Sequence, residues 1–246
     1  MNSFRTMSTI LCILFVLLFN HICIAYDNEY AHIFININAV KKSNIDTILR
    51  EEIGFKNGEN EKLLGEEVWE WIRDGGFEED EPAWRCLRHF HDPIKTWNEA
   101  GLLNLSESLI YWAQQSEPSD QLGESNEYSW QSARTYFHQA LLTGSEDQYA
   151  KTFRALGQVM HLVSDAAVPA HVRNDPHIPY IFDADPYENW VKKIVMDSKK
   201  STTSITFGDF TVDPAIFKLA VSDDLVPSPI SALWDNISDQ VVTITY

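Results

Sequence analysis

Apolar residues recur at intervals of three and four along most of the chain, the spacing that lines one face of an α-helix. The clearest stretch is 148–165, where Phe153, Leu156, Val159, Met160 and Val163 form one stripe and Pro169 marks its end or the turn just beyond. A first helix is read over 28–42, containing His32. Over 59–73 the stripe is Leu63, Leu64, Val68, Trp71 and Ile72, and Gly75-Gly76 is expected to stop that helix. Helices over 104–115 and 126–143 are separated by the polar, Pro-containing 116–123. A helix over 185–196 has Pro186 just inside its start, where the missing N–H costs nothing. The pattern breaks at 204–212, where Ile205, Phe207, Phe210 and Val212 flank Gly208-Asp209 and suggest a small hairpin. Last helices are read over 214–221 and 229–241, and no repeat, low-complexity tract or second domain interrupts the chain. The expected fold is all-α, a single multi-helix domain with that hairpin.

Both ends qualify this reading. Residues 1–7 are polar and carry only Arg5, 9–19 are almost wholly apolar, and Cys23-Ile-Ala25 places small residues before a cleavage point. That is the form of a signal peptide over 1–25, and the apolar run is short for a membrane span. The mature chain is then 26–246, secreted or periplasmic, with Cys86 its sole cysteine, no internal disulfide, and bound metal a candidate staple. Its apolar end, Val241-Val-Thr-Ile-Thr-Tyr246, suggests a domain incomplete at the C-terminus. The net charge of −17 argues against a basic face for nucleic acid, so no stable nucleic-acid partner is expected.

Seven of the eight His lie beyond the export segment, and they cluster. His161 and Asp165 are four apart on a helix and project from one face, with Gly157 one turn earlier leaving room for an ion. His171 follows Pro169, where the chain turns back towards the same point. Imidazole and carboxylate at such spacing suit zinc where thiolates are absent, although a surface pair on a helix has the same spacing. Further candidates are His89-Phe-His-Asp-Pro93 after the acidic run Glu78-Glu-Asp-Glu81, and Glu188 with His177 and Asp183 upstream. Each is open to reading as a core histidine or a solvated acid. His138, between aromatic neighbours, reads as packing, and Cys86 as a small buried thiol.

The blocks Glu79-Asp80 with His89-Phe-His-Asp-Pro93, Leu156 through His161 to His171, and Tyr187-Glu-Asn-Trp190 resemble, in that order, the zinc-dependent phospholipase C and S1/P1 nuclease superfamily. The chain looks closer to the bacterial phospholipase C branch over about 26–195. The resemblance implies an all-α domain holding up to three zinc ions in a cleft. It implies a first zinc on Asp80, His89, His161 and Asp165, with Glu79 the alternative to Asp80. Asp165 would bridge to a second zinc, completed by His32 and by the amine and carbonyl of the mature N-terminal residue, Tyr26. A third would take His171, Glu188 and one more ligand. Here the chain departs from the family: the His expected four residues before the Glu is Ala184, leaving Asp183 or His177 to fill the place.

The activity implied is phospholipase C-type hydrolysis of phospholipid by zinc-activated water, with transient contact at a membrane surface and Asp80 accepting the proton. Two rivals follow from the same residues. One is a single-strand nuclease; the other is a metal-stabilised homologue without catalysis.

Overall fold

The protein was analysed as a computed structural model that describes residues 28–116, 124–176 and 185–200, and these are mainly helical, as the periodicity predicts. A π-helical turn, Asn28–His32, enters α1, Ile33–Lys42. The short α2, Ile45–Ile48, passes into a second π-helical turn, Leu49–Ile53. Strands β1, Lys62–Leu63, and β2, Glu66–Glu67, form a small antiparallel hairpin, with Leu63 opposite Glu66. Then come α3, Val68–Glu78, a 3-10 segment, Ala83–Arg88, and α4, Leu109–Gln114. The last helices are α5, Trp130–Thr143, α6, Glu146–Asp165, α7, Pro169–Val172, and α8, Pro186–Lys200.

The largest departure from the periodicity lies around α3. Leu63 and Leu64 belong to the hairpin, and α3 starts only at Val68, where Glu67 and Glu70 cap each other's backbone N–H groups. At its other end α3 runs through Gly75 and Gly76 instead of stopping there. The reason is tertiary. A Cβ on Gly75 would lie 2.1 Å from the Arg154 carbonyl oxygen, and one on Gly157 would lie 2.1 Å from that of Ile72. Glycine inside a helix costs about 1 kcal/mol relative to alanine, and here it permits backbone-to-backbone contact between α3 and α6. Asn36 of α1 fills the seam, its Nδ2 donating to the carbonyls of Ile72 and Gly157 at 3.1 Å each.

On one side of this seam Val40, Leu49, Leu63, Val68, Ile72 and Phe153 form a core; on the other Leu109, Ile110, Trp112 and Leu162 form a second. The predicted helix over 104–115 is shortened to α4, because Ser108 is extended and the helix begins only after it. Cys86 is buried and disulfide-bonded, which corrects the expectation of a free thiol and no disulfide; its partner lies outside the described residues. Outside the described residues too are the hairpin over 204–212 and the helices over 214–221 and 229–241. No helix among the described residues is long and apolar enough to cross a membrane.

Gly157→Ala is expected to destabilise the fold by about 3 kcal/mol, the upper range for an overpacked core. Urea unfolding followed by circular dichroism measures this; an unchanged midpoint would show that the helices can separate freely.

Candidate metal centre

His161 and Asp165, one turn apart at the end of α6, are fully buried with His161 Nε2 3.2 Å from Asp165 Oδ2. Helical spacing puts them on one face, and the seam between α3 and α6 fixes the ring: His161 Nδ1 lies 2.7 Å from the Gly76 carbonyl oxygen. A carbonyl can only accept, so Nδ1 carries a proton and Nε2 is the ring nitrogen that faces the carboxylates. His32 ends the first π-helical turn and stacks on His161, ring centroids 3.5 Å apart. Its Nδ1 lies 2.9 Å from Ser164 Oγ, whose own hydroxyl donates to the His161 carbonyl at 2.7 Å. Ser164 Oγ therefore accepts from His32, and His32 Nε2 faces Asp165 Oδ1 at 3.5 Å.

The turn after α3 supplies the opposite wall. Asp80 Oδ1 lies 3.5 Å from His89 Nδ1 and its Oδ2 lies 3.8 Å from His161 Nε2, while His89 Nδ1 is 2.9 Å from Asp165 Oδ2. Of the two acids left open by the sequence, Asp80 faces this centre. Glu79 turns to the far side of His89, where it accepts from Trp112 Nε1 at 2.6 Å and from Arg85 at 2.7 Å. Pro169 starts α7 and carries His171 back, with Nδ1 donating to the His89 carbonyl at 2.7 Å. His171 Nε2 meets Glu188 Oε1, in the first turn of α8, at 3.3 Å. Tyr26, His177, Asp183 and Ala184 lie outside the described residues. His138 is exposed on α5, which corrects its reading as a packing residue.

Asp165 uses its two oxygens differently. Oδ2 faces His89 and His161, whereas Oδ1 faces His32 and, at 3.9 Å, His171 Nδ1. Two groups, His32 with His161 and Asp165, and Asp80 with His89 and His161, each bring their donor atoms within 4.8 Å of one another. The carboxylate oxygens of Asp80 and Asp165 and Nε2 of His161 are buried and hydrogen-bond to no group among the described residues. Leaving a buried polar atom unsatisfied costs about 1–3 kcal/mol, and one cation would satisfy several at once. These buried groups could hold a metal ion. Their nitrogen and oxygen donors are of the type zinc accepts, and the oxidised Cys86 adds no thiolate.

Burial and charge work against each other here. Burial alone would lower the pKa of His89, but Asp165, Glu79 and Asp80 around it push it up to about 10. Asp80 is raised to about 6, first by burial and further by Asp165 and Glu79, against the pull of His161 and His89. Burial opposes ionisation of Glu79 too, yet Arg85 and His89 hold it down at about 2. Asp165 resists burial even more, held well below the usual carboxylate range by the four imidazoles around it. His32 goes the other way: burial and then the charge of His161 lower it well below its ordinary value.

Arg85, Trp112, Ser164 and the Gly76 carbonyl were not singled out by the sequence reading as partners of the site. The one hint was Trp84-Arg-Cys-Leu-Arg88, two arginines in an otherwise apolar run next to the acidic block.

A metal ion must displace the His89 proton, so metal affinity is expected to rise with pH by about tenfold per unit between about pH 7 and 9. Below about pH 6, where Asp80 also takes up a proton, the slope should steepen. Zinc titration calorimetry in buffers of different ionisation enthalpy measures the proton release; none at pH 7.5 would refute a protonated His89 that the metal displaces. Comparison of the chain with protein-family models, with curated proteins and with solved structures returns no match in any of the three, so the centre is interpreted from its own geometry.

Proposed function

We propose that the chain is a zinc-dependent phosphodiesterase of the phospholipase C type, exported from the cell and acting on phospholipid. The observation that supports this is the convergence of His32, Asp80, His89, His161 and Asp165 from separate segments, with Asp165 turning Oδ2 to His89 and His161 and Oδ1 to His32. Zinc bound there supplies positive charge against phosphoryl oxygens and acidifies nearby water.

The chain's own residues do the rest. Asp165, kept ionised by the surrounding imidazoles, turns one carboxylate oxygen to His89 and His161 and the other to His32. Asp80, facing His89 and His161, is a donor to the ion and the proton acceptor of this reading. His171 and Glu188 form a further donor pair on the Oδ1 side of Asp165. The net charge of −17 favours a lipid dispersion over a polyanionic strand as substrate.

Zinc-loaded protein is expected to release diacylglycerol from a phosphatidylcholine dispersion. Asp165→Asn should lower both zinc content and rate, the rate by more than about a hundredfold, which is the upper range for residues that merely orient ligands. Cleavage of single-stranded DNA alone would establish the nuclease reading instead. A zinc-bound protein inert on both substrates would establish a homologue without catalysis, and less than one zinc per chain would reject the metal centre itself.

A further inference from the structure

The four imidazoles around Asp165 are not presented alike. His161 and His171 give Nδ1–H to backbone carbonyls, and His32 gives it to a serine hydroxyl. His89 is reversed: Nδ1 faces Asp165 and Asp80, and Nε2 faces away, towards Glu79 Oε1 at 3.6 Å. A ring turned this way has its distal nitrogen beyond the reach of its own turn's carbonyls and needs an acceptor brought from elsewhere.

We infer that Glu79 is a positioning residue, whose carboxylate sets His89 to bind metal through Nδ1 while His32 and His161 bind through Nε2. This rests on the metal-centre reading of the same site. Glu79 is built for the task. It is fully buried, and both oxygens are gripped: Oε1 by Trp112 Nε1 at 2.6 Å, Oε2 by Arg85 Nη2 at 2.7 Å. Arg85 is itself tied down, its Nε donating to the Glu79 carbonyl at 2.9 Å and its Nη2 to Gln158 Oε1 at 3.1 Å. Its guanidinium lies over the Trp112 ring, 4.7 Å from the centroid. Glu79 therefore cannot follow His89 if the ring turns; the ring must follow Glu79.

The remaining lone pair on Oε1 is the acceptor offered to His89 Nε2–H. At 3.6 Å the pair is longer than a hydrogen bond, and metal binding at Nδ1 would have to bring Nε2–H onto Oε1. Metal at Nδ1 makes Nε2–H a stronger donor, and a carboxylate there raises the basicity of the ligating nitrogen.

The first test uses the unaltered protein, labelled with ¹⁵N-histidine and loaded with ¹¹³Cd. Cadmium coupling is expected to Nδ1 of His89 and to Nε2 of His161 and His32; coupling of His89 through Nε2 would overturn the inference. The second compares Glu79→Ala and Glu79→Gln by zinc competition with a chelator and by the visible spectrum of the cobalt-loaded protein. Alanine should weaken zinc binding by about 10–100-fold and change the cobalt spectrum, whereas glutamine, which keeps an acceptor oxygen, should lose less. Wild-type affinity and spectrum in a folded Glu79→Ala protein would reduce Glu79 to a partner of Arg85. A wild-type protein that takes up neither zinc nor cadmium would reject the metal centre and this inference together. One that binds both metals with His89 on Nε2 would reject this inference alone.

Discussion

Everything at the centre depends on how closely α3 and α6 approach. Gly75 and Gly157 let the two backbones touch, and a methyl group at either position would collide with a main-chain carbonyl. The contact brings the Gly76 carbonyl to His161 Nδ1, and so selects the tautomer that aims Nε2 inward. It also sets where α3 ends, and thereby where Asp80 and Glu79 emerge on either side of His89. A separation larger by one methyl group would leave the acids and the imidazoles in the same order along the chain but outside ligand distance of one another.

The centre holds more buried charge than its immediate surroundings can neutralise. Glu79 and Arg85 offset each other, and Arg88 lies over Trp112, 4.3 Å from the centroid, with Glu107 at 3.7 Å. Such pairs contribute little net stability, because desolvating two ions consumes most of their attraction. Among the described residues, imidazoles are the cationic groups that face Asp80 and Asp165. In the metal-free protein protons must balance those acids, hence a His89 pushed up to about 10 and an Asp80 raised to about 6. Metal would replace the protons, and because it binds the folded chain preferentially its binding energy would add to stability. Metal binding at this centre would link folding and proton inventory through the same few side chains.

Much of this was legible before any coordinates. The period of 3.6 marked α6, and the four-residue step from His161 to Asp165 placed both on one face; Pro169 signalled the turn that returns His171. These are local properties, because helix periodicity and proline geometry act within a few residues. Gly75-Gly76 was misleading for the same reason. Locally a glycine pair ends a helix, and only a partner helix reveals the pair as a contact surface. Leu63 and Leu64 likewise fitted a helical stripe until the mutual caps of Glu67 and Glu70 started α3 at Val68.

By itself, then, the sequence determined the helical character of the chain, the order of the ligand-type residues and the pairing of His161 with Asp165, all of which follow from spacing along one segment. Only the tertiary structure decided that Asp80 faces the centre and Glu79 the back of His89, which ring nitrogen each histidine presents, and that Asp165 turns Oδ2 to His89 and His161 but Oδ1 to His32. Adjacent residues at a helix end differ by a rotation of the backbone that carries no mark in the sequence. Its outcome is set by which distant groups, here Arg85, Trp112 and the Gly76 carbonyl, are waiting on either side.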